Sequence, residues 1–187
     1  KNCEGLGQLT VHEADALAFD FSSLAPEQLA FRLIGNLPYN ISTPLIFHVL
    51  NYREYIQDMH FMLQKEVVDR MVAEPGNKQY GRLSVMTQYY CRAEKLLKVD
   101  PSAFFPPPKV DSAIVRLTPK TQLNATSDEQ LSTLVKQAFQ QRRKTLANNL
   151  KGMISTEQLT ALDIDPKQRP EQLSVQDYVK ISNELVG

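Results

Sequence analysis

The sequence predicts an α/β fold built on a parallel sheet, followed by a small all-helical domain. In the first 118 residues, short apolar segments alternate with helical segments, an order that is typical of a parallel sheet. From Thr118 onward the pattern indicates helices alone. A chain of 187 residues with 42% hydrophobic and 22% charged residues suits one large domain or a medium domain with a small companion. We therefore predict an α/β domain over 1–118 and a helical domain over 119–187.

Apolar segments mark the strands of the first half. Gln8–His12 predicts a short strand, and Phe31–Gly35 predicts a mostly apolar strand that we expect to be buried on both faces. Met59–Leu63 predicts a third strand. A helix is predicted from about Thr43 to Tyr55, with Pro44 near its start, where a missing N–H costs little. Strand, helix and strand at this spacing predict a βαβ unit.

The next segments complete the predicted α/β domain. Lys65–Ala73 predicts a helix that stops at Glu74–Asn77, and Tyr80–Leu97 predicts another helix. Phe104–Pro108 contains three consecutive prolines, so it is expected to be a stiff extended loop. Val110–Leu117 alternates in hydropathy and predicts a closing strand.

Capping residues divide the second half into helices. Ser127 begins a capping box, and apolar residues at helical spacing extend the predicted helix to about Lys151, with Gly152 at the C′ position. Ser155 and Ser174 each predict the start of a further short helix.

Composition excludes several classes of function. The 21 basic residues balance 21 acidic residues, which excludes a uniformly basic coat but leaves room for a local basic patch. Cys3 and Cys91 are too few for a disulfide framework, so a reducing, cytoplasmic setting is expected. His12, His48 and His60 lack metal-ligand spacing, and no apolar run approaches the roughly 18 residues of a membrane span.

Asn36–Tyr39, with the sequence Asn-Leu-Pro-Tyr, follows directly on the apolar strand that ends at Gly35. Ligands of parallel α/β sheets bind at the carboxyl ends of strands, so the position suits a site. The exocyclic amine of adenine is a poor nucleophile because its lone pair is delocalised into the ring. The oxygen of Asn36 and a neighbouring backbone carbonyl can accept both amine protons, which frees the lone pair to attack a methyl donor. Tyr39 can stack on a base that has left its helix.

Four segments carry a resemblance to a known family. Asn36–Tyr39 resembles motif IV of amino-methyltransferases that use S-adenosylmethionine, and the eleven-residue run Gly35–Leu45 resembles the KsgA/Dim family of small-subunit rRNA adenine dimethyltransferases. Phe104–Ser112 is similar to motif VIII of that family. Asp15–Leu17 resembles its Asp-Ala motif, and Gln141–Lys144 resembles a basic stretch of its C-terminal domain. The four segments occur in the family's order along the chain.

The resemblance implies a Rossmann-like S-adenosylmethionine-dependent methyltransferase that dimethylates two adjacent adenosines of 16S rRNA in the small ribosomal subunit. It implies a monomeric protein that needs no metal and no membrane. The implied catalytic residues are Asn36, Leu37, Pro38, Tyr39 and Phe104. The implied contacts to the cofactor come from Asp15, Ala16 and Asn36, and those to RNA from Lys109, Arg142, Arg143 and Lys144.

Simpler structural roles remain open for some of these residues. Asp15 alone is typical of a turn or helix cap, Phe104 alone could belong to the core, and a basic run on a helix is usually a solvated face. We favour Phe104 over Phe105 for the contact to adenine because the family motif reads Phe, one variable residue, then Pro.

The glycine-rich loop and the ribose-binding acidic residue of such methyltransferases do not appear in this sequence. Gly5-Leu6-Gly7 does not complete a Gly-x-Gly-x-x-Gly pattern, and the chain begins at Lys1 without Met. We therefore expect an N-terminally truncated chain that binds S-adenosylmethionine weakly or not at all. Alternatives are a non-catalytic small-subunit assembly factor and a large-subunit rRNA methyltransferase of the macrolide-resistance type. A DNA adenine methyltransferase fits less well, because such enzymes more often carry Pro-Pro-Tyr.

Overall fold

The computed structural model describes residues 7, 9–25 and 30–186. Within these ranges the strands are β1 (Phe31–Asn36), β2 (Ile56–Gln64), β3 (Cys91–Val99) and β4 (Ser112–Pro119). The helices are α1 (Ser42–Leu50), α2 (Lys65–Met71), α3 (Arg82–Tyr90), α4 (Asp128–Ala138), α5 (Leu146–Asn149), α6 (Thr156–Ala161) and α7 (Val175–Glu184). Short 3-10 helices lie at Phe21–Leu24, Arg53–Tyr55, Pro101–Ala103 and Pro170–Gln172.

The described strands form one mixed sheet in the order β1-β2-β4-β3. β1 and β2 are parallel and are joined by α1, which confirms the predicted βαβ unit, whereas β4 runs antiparallel to β2 and β3. Asn36 lies opposite Met62, and Gln64 lies opposite Ser112. The carboxyl ends of β1 and β2 and the amino end of β4 therefore lie side by side at the same end of the sheet's strands.

Two apolar clusters hold the described elements together. One contains the sheet with α1 and α2, and its fully buried members include Ile46, Met59, Leu63, Val68, Met71, Val115 and Leu117. The other contains α3 and the later helices, with Tyr80, Val85, Leu131, Leu134, Leu146, Leu159 and Tyr178 buried. The Tyr89 hydroxyl of α3 also donates a hydrogen bond of 2.8 Å to Asp128 at the start of α4. The division into domains at residue 118 stays a prediction.

Two predictions about strands are wrong. Residues 9–12 form no strand, and the side chains of Leu9 and Val11 are 78% and 80% exposed, because they find no strand partner among the described residues; Gln8 lies outside the described residues. β1 is not buried on both faces, since Ile34 is 81% exposed. β1 lies at the edge of the described sheet. Its residues alternate between half-buried and exposed, so only one face of the strand is packed against other residues.

The helix predicted over Tyr80–Leu97 is also wrong in its second half. α3 ends at Tyr90, and residues 91–99 form β3, which pairs with β4 along its length. Glu94 lies opposite Arg116, and the Arg116 Nε donates a hydrogen bond of 2.8 Å to the Glu94 carboxylate. Such cross-strand pairs stabilise a hairpin and outweigh the modest helical propensity of this segment.

The long helix predicted from Ser127 to Lys151 is interrupted. α4 ends at Ala138, residues 139–144 form turns, and α5 follows. The side chain of Asn149 is buried and bonds to the backbone of those turns, an arrangement that a continuous helix would not allow.

The other predicted elements are confirmed with shifted ends. The helix predicted from Thr43 is α1 followed by a 3-10 turn, and the strand predicted from Val110 is β4. Ser127, Ser155 and Ser174 each cap a helix through a side-chain oxygen that accepts a backbone N–H at 3.2 Å. Gly152 has a φ of 86°, a conformation that favours glycine, in the turn after α5.

Candidate active site

The Asn-Leu-Pro-Tyr segment turns away from the sheet directly after β1. The Leu37 N–H donates a hydrogen bond of 3.2 Å to the Met62 carbonyl, which extends the pairing of β1 with β2 by one residue. The Leu37 side chain is buried and folds back over Gly35, where an added Cβ would lie 2.9 Å from Leu37 Cδ2. Glycine before Asn36 therefore permits the close turn that presents Asn36 at the end of the strand.

Two buried serines hold Tyr39 in place. The Tyr39 hydroxyl and Ser112 Oγ lie 3.1 Å apart, within hydrogen-bond distance, and Ser112 is the first residue of β4. Ser42 Oγ donates a hydrogen bond of 3.1 Å to the Tyr39 carbonyl from the start of α1. The hydroxyl end of the ring is fixed by its contact with Ser112, and Tyr39 remains 41% exposed, so part of it is open to a ligand. Sequence reasoning missed both serines, although Ser42 lies in the motif segment Gly35–Leu45 and Ser112 lies in Phe104–Ser112.

The loop between β3 and β4 carries Phe104 and the three prolines. Its ends are tied together by Lys98, whose ammonium donates hydrogen bonds of 2.8 Å to Asp100 and 3.1 Å to Asp111. These bonds, with Asp100 the stronger cause, raise the pKa of Lys98 above its ordinary value, so the ammonium stays charged. The Asp111 carbonyl also accepts a hydrogen bond of 2.9 Å from the Lys65 N–H. The base of the loop is therefore fixed to both β3 and the start of α2.

The motif segments Gly35–Leu45 and Phe104–Ser112 meet around a cavity of about 380 Å³. It lies beyond the carboxyl ends of β1 and β2. Its lining residues are Asn36, Leu37, Pro38, Tyr39, Phe104, Phe105, Pro106 and Pro108. Phe104 is half-buried and Phe105 is fully exposed. The structure thus brings all five predicted catalytic residues together, with aromatic side chains, an amide and the backbone carbonyl of Leu37 in one opening. Such a combination suits a planar ligand with polar hydrogens.

Asn36 presents its amide to this cavity without a competing partner. Within residues 7, 9–25 and 30–186, the Asn36 side chain forms no hydrogen bond and is exposed. The Pro38 carbonyl already accepts a hydrogen bond of 3.2 Å from the Ile41 N–H, whereas the Leu37 carbonyl has no partner in the same ranges. The side-chain oxygen of Asn36 and the Leu37 carbonyl are therefore the acceptors available to a ligand amine.

Asp15 and Ala16 lie outside the lining of this cavity. Asp15 Oδ1 accepts a hydrogen bond of 2.9 Å from the Leu17 N–H, so the carboxylate caps its own turn. The residue is exposed, and Ala16 packs beside the apolar cluster of the sheet. The contact of Asp15 and Ala16 with the cofactor therefore stays a prediction.

The predicted RNA-binding residues occupy two places. Arg142, Arg143 and Lys144 lie in the turns between α4 and α5, and Lys109 is exposed in the loop beside the cavity. The Arg142 guanidinium donates hydrogen bonds of 2.7 Å to the Lys78 carbonyl and 3.1 Å to the Tyr80 carbonyl. These bonds bring the exposed Lys78, which sequence reasoning missed, next to the basic turn. We name Lys78 and residues 142–144 the basic turn patch.

Other kinds of site find no support in the described part of the chain. No group of three or more His, Cys, Asp and Glu side chains that could hold a metal ion occurs there. Cys91 is buried, and burial raises the pKa of its thiol to about 12, so it stays protonated and is a poor nucleophile. Among those same residues, no helix has the length and hydropathy needed to cross a membrane.

The fold is that of the Rossmann-like methyltransferases. A crystal structure of a dimethyladenosine transferase from Plasmodium falciparum superposes with a TM-score of 0.83 and 30% identity, over 96% of this chain and 74% of that one. The 23S rRNA methyltransferase ErmE superposes with a TM-score of 0.67 over 93% of this chain and 70% of that one. At 22% identity, this second likeness supports the fold alone.

Sequence comparison narrows this class to one family. The family model described as ribosomal RNA adenine dimethylase matches residues 1–186, and the chain belongs to that family. Curated relatives named ribosomal RNA small subunit methyltransferase A include a protein of Marinomonas sp., which is 58% identical over 96% of this chain and 68% of its own length. One from Saccharophagus degradans is 60% identical over 94% of this chain and 66% of its own length. The chain thus spans about two thirds of the length of these relatives, and the predicted family is confirmed.

Methyltransferases of this family use S-adenosylmethionine as methyl donor, and the described residues fit that molecule only in part. Asp15 has the chemistry to accept a hydrogen bond from an adenine amine, and Asn36 lies at the correct edge of the sheet. However, Asp15 is exposed among the described residues and does not line the cavity that contains Asn36. Which side chains contact the methyl donor therefore stays a prediction.

Proposed function

We propose that this protein transfers methyl groups from S-adenosylmethionine to the N6 atoms of two adjacent adenosines near the 3′ end of 16S rRNA. The observation that carries the proposal is the meeting of Asn36–Tyr39 with Phe104 around one cavity in a chain of this family. The relatives named small subunit methyltransferase A support the small ribosomal subunit as substrate. A monomeric protein in the cytoplasm remains our prediction.

The cavity residues would prepare the adenine amine for attack. The Asn36 oxygen and the Leu37 carbonyl accept the two amine protons, while the Pro38 ring stiffens the turn between them and Tyr39. This arrangement draws the nitrogen lone pair out of conjugation with the ring. Tyr39 and Phe104 stack on the two faces of the base and hold it out of its helix.

S-adenosylmethionine supplies an electrophilic methyl group when it is bound. Asp15, Ala16 and Asn36 are the residues that we propose to contact it. Once methylated, the adenine nitrogen is acidic and releases its proton to water, so the chain needs no general base. After the first transfer the nitrogen keeps one proton, so only one of the two acceptors is used when the second methyl group is transferred.

We expect the protein expressed from its complete gene to methylate small ribosomal subunits. Purified small and large subunits that lack the modification would be incubated separately with S-adenosylmethionine carrying a labelled methyl group. Label should appear at two adjacent adenosines of the small-subunit rRNA. Label confined to large subunits would contradict the proposal and favour the macrolide-resistance alternative.

A second candidate function is binding of the small subunit without catalysis, as an assembly factor. The basic turn patch favours it, because these exposed cations lie in a turn outside the cavity lining. Phosphate contacts would give affinity for RNA independent of methyl transfer. The two functions are compatible within one protein.

The double variant Arg143→Gln, Lys144→Gln is expected to weaken subunit binding and to reduce its salt dependence. The slope of log K against log salt concentration is negative, and each lost phosphate contact reduces its magnitude by about 0.7 to 0.9, so the slope should become less negative by about 1 to 2. Arg142 is left unchanged because its guanidinium bonds to two backbone carbonyls. Filter binding across a salt series measures the slope.

Lys180→Gln provides the matched control for that experiment. It removes a cation on α7 that lies 3.9 Å from Asp177, so its charge is already partly balanced. Binding by this variant should match the unmodified protein. Equal slopes for the double variant and the control would remove the patch from the RNA interface.

A further inference from the structure

We propose that Phe105 stacks on the nucleobase next to the adenosine under attack. The inference rests on the proposed function, since it assigns a second aromatic contact to the same RNA substrate. It differs from the family motif, which places a contact at Phe104 and leaves the following position variable. The geometry of the loop that carries both phenylalanines supports a contact at Phe105.

Phe104 and Phe105 cannot stack on the same base. The backbone at Phe104 is extended, with φ −120° and ψ 153°, and consecutive side chains of an extended segment point to opposite sides. Their burial agrees with this, because Phe104 is half-buried while Phe105 is fully exposed. Both nevertheless border the cavity that contains Asn36. Phe105 therefore faces a different part of whatever ligand enters there.

The loop holds Phe105 in position without burying it. Pro106–Pro108 fix the backbone that follows, and a 3-10 turn at Pro101–Ala103 precedes it. The bonds from Lys98 to Asp100 and Asp111 close the base of the loop. A phenyl ring on a restrained backbone loses little conformational freedom on binding, which favours affinity.

A single exposed apolar side chain is common on protein surfaces and alone indicates nothing. Phe105 differs because of its neighbours. It lies at the rim of an opening lined by Asn36 and Tyr39, and Lys109 is exposed four residues later. A cation in the same loop as an exposed ring suits a strand in which a phosphate follows a base.

The base next to the flipped adenosine is the partner that we assign to the Phe105 ring. When one adenosine leaves its helix for the cavity, the base beside it loses a stacking partner. The phenyl face of Phe105 can replace that partner. Because the proposed substrate contains two adjacent adenosines, the base held by Phe105 would be the second target while the first reacts.

Three variants of the full-length protein test the proposal by methylation kinetics on small subunits. Stacking on one base contributes enough affinity that Phe105→Ala should raise the KM for the subunit about ten-fold, with a smaller change in kcat. Phe105→Trp keeps an aromatic face and should restore the KM. Phe105→Leu keeps apolar area but has no aromatic face, and it should behave like the alanine variant. For Phe105→Ala, mapping of the methyl groups should show fewer rRNA molecules in which both adenosines are methylated.

Two results would overturn the inference. One is a KM and product distribution for Phe105→Ala equal to those of the unmodified protein. The other is full activity of Phe105→Leu, which would show that apolar contact suffices without stacking. In both cases the unmodified protein still methylates small subunits, so the proposed function stands. Absence of methylation by the unmodified protein would instead refute the proposed function itself.

Discussion

Asn36→Ala is expected to reduce methyl transfer to small subunits by at least about 100-fold, the scale of losing one preorganised polar group at a reacting centre. The side chain is exposed and forms no hydrogen bond within the described ranges, so its removal should leave folding intact. It should also leave the basic turn patch unchanged, and subunit binding should stay close to that of the unmodified protein. Single-turnover methylation and filter binding measure the two quantities separately.

Asn40→Ala is the matched control for this variant. Asn40 is the same residue type four positions later and is also exposed, but it does not line the cavity. Its replacement should change transfer little. If Asn36→Ala transferred methyl groups at the normal rate, the proposed orientation of the amine by this side chain would be refuted.

The position of the site could be predicted from the sequence because its main parts are local. Asn36 follows an apolar strand, and the carboxyl ends of parallel strands are where ligands bind. The meeting of this segment with Phe104 could not be derived in the same way. It depends on β4 lying antiparallel to β2, so that Ser112 stands opposite Gln64. Only the resemblance to a family placed Phe104 in the same site.

Long-range partners explain most of what sequence reasoning missed. Ser112 contacts a tyrosine 73 residues earlier in the chain, and its place at the end of the motif segment Phe104–Ser112 does not reveal that partner. Residues 91–99 are charged and apolar in an order that fits helix or strand, and pairing with β4 decides between them. The sequence does not distinguish Arg142 from its neighbour Arg143, but the hydrogen bonds of Arg142 to the Lys78 and Tyr80 carbonyls give it a structural role as well.

Asn149→Ala is expected to lower the free energy of unfolding by about 2 to 4 kcal/mol, because it removes several hydrogen bonds of a buried side chain at once. Asn149 Oδ1 accepts a bond of 3.2 Å from the Gln141 N–H. Its Nδ2 donates to the carbonyls of Gln141, Lys144 and Thr145. Alanine would remove the Asn149 partner from these backbone groups, which form part-buried hydrogen bonds. Urea unfolding followed by circular dichroism measures the change.

The same substitution should also weaken binding to small subunits, because the bonds of Asn149 define the turns that carry Arg143 and Lys144. A loosened turn must be ordered again on binding, and the entropy of that ordering opposes the phosphate contacts. Asn148→Ala is the matched control, since Asn148 is exposed and adjacent on the same helix. It should change neither stability nor binding. If Asn149→Ala were destabilised but bound subunits normally, the turn would be a structural feature of the helical region and the basic turn patch would lose its assignment as an RNA contact.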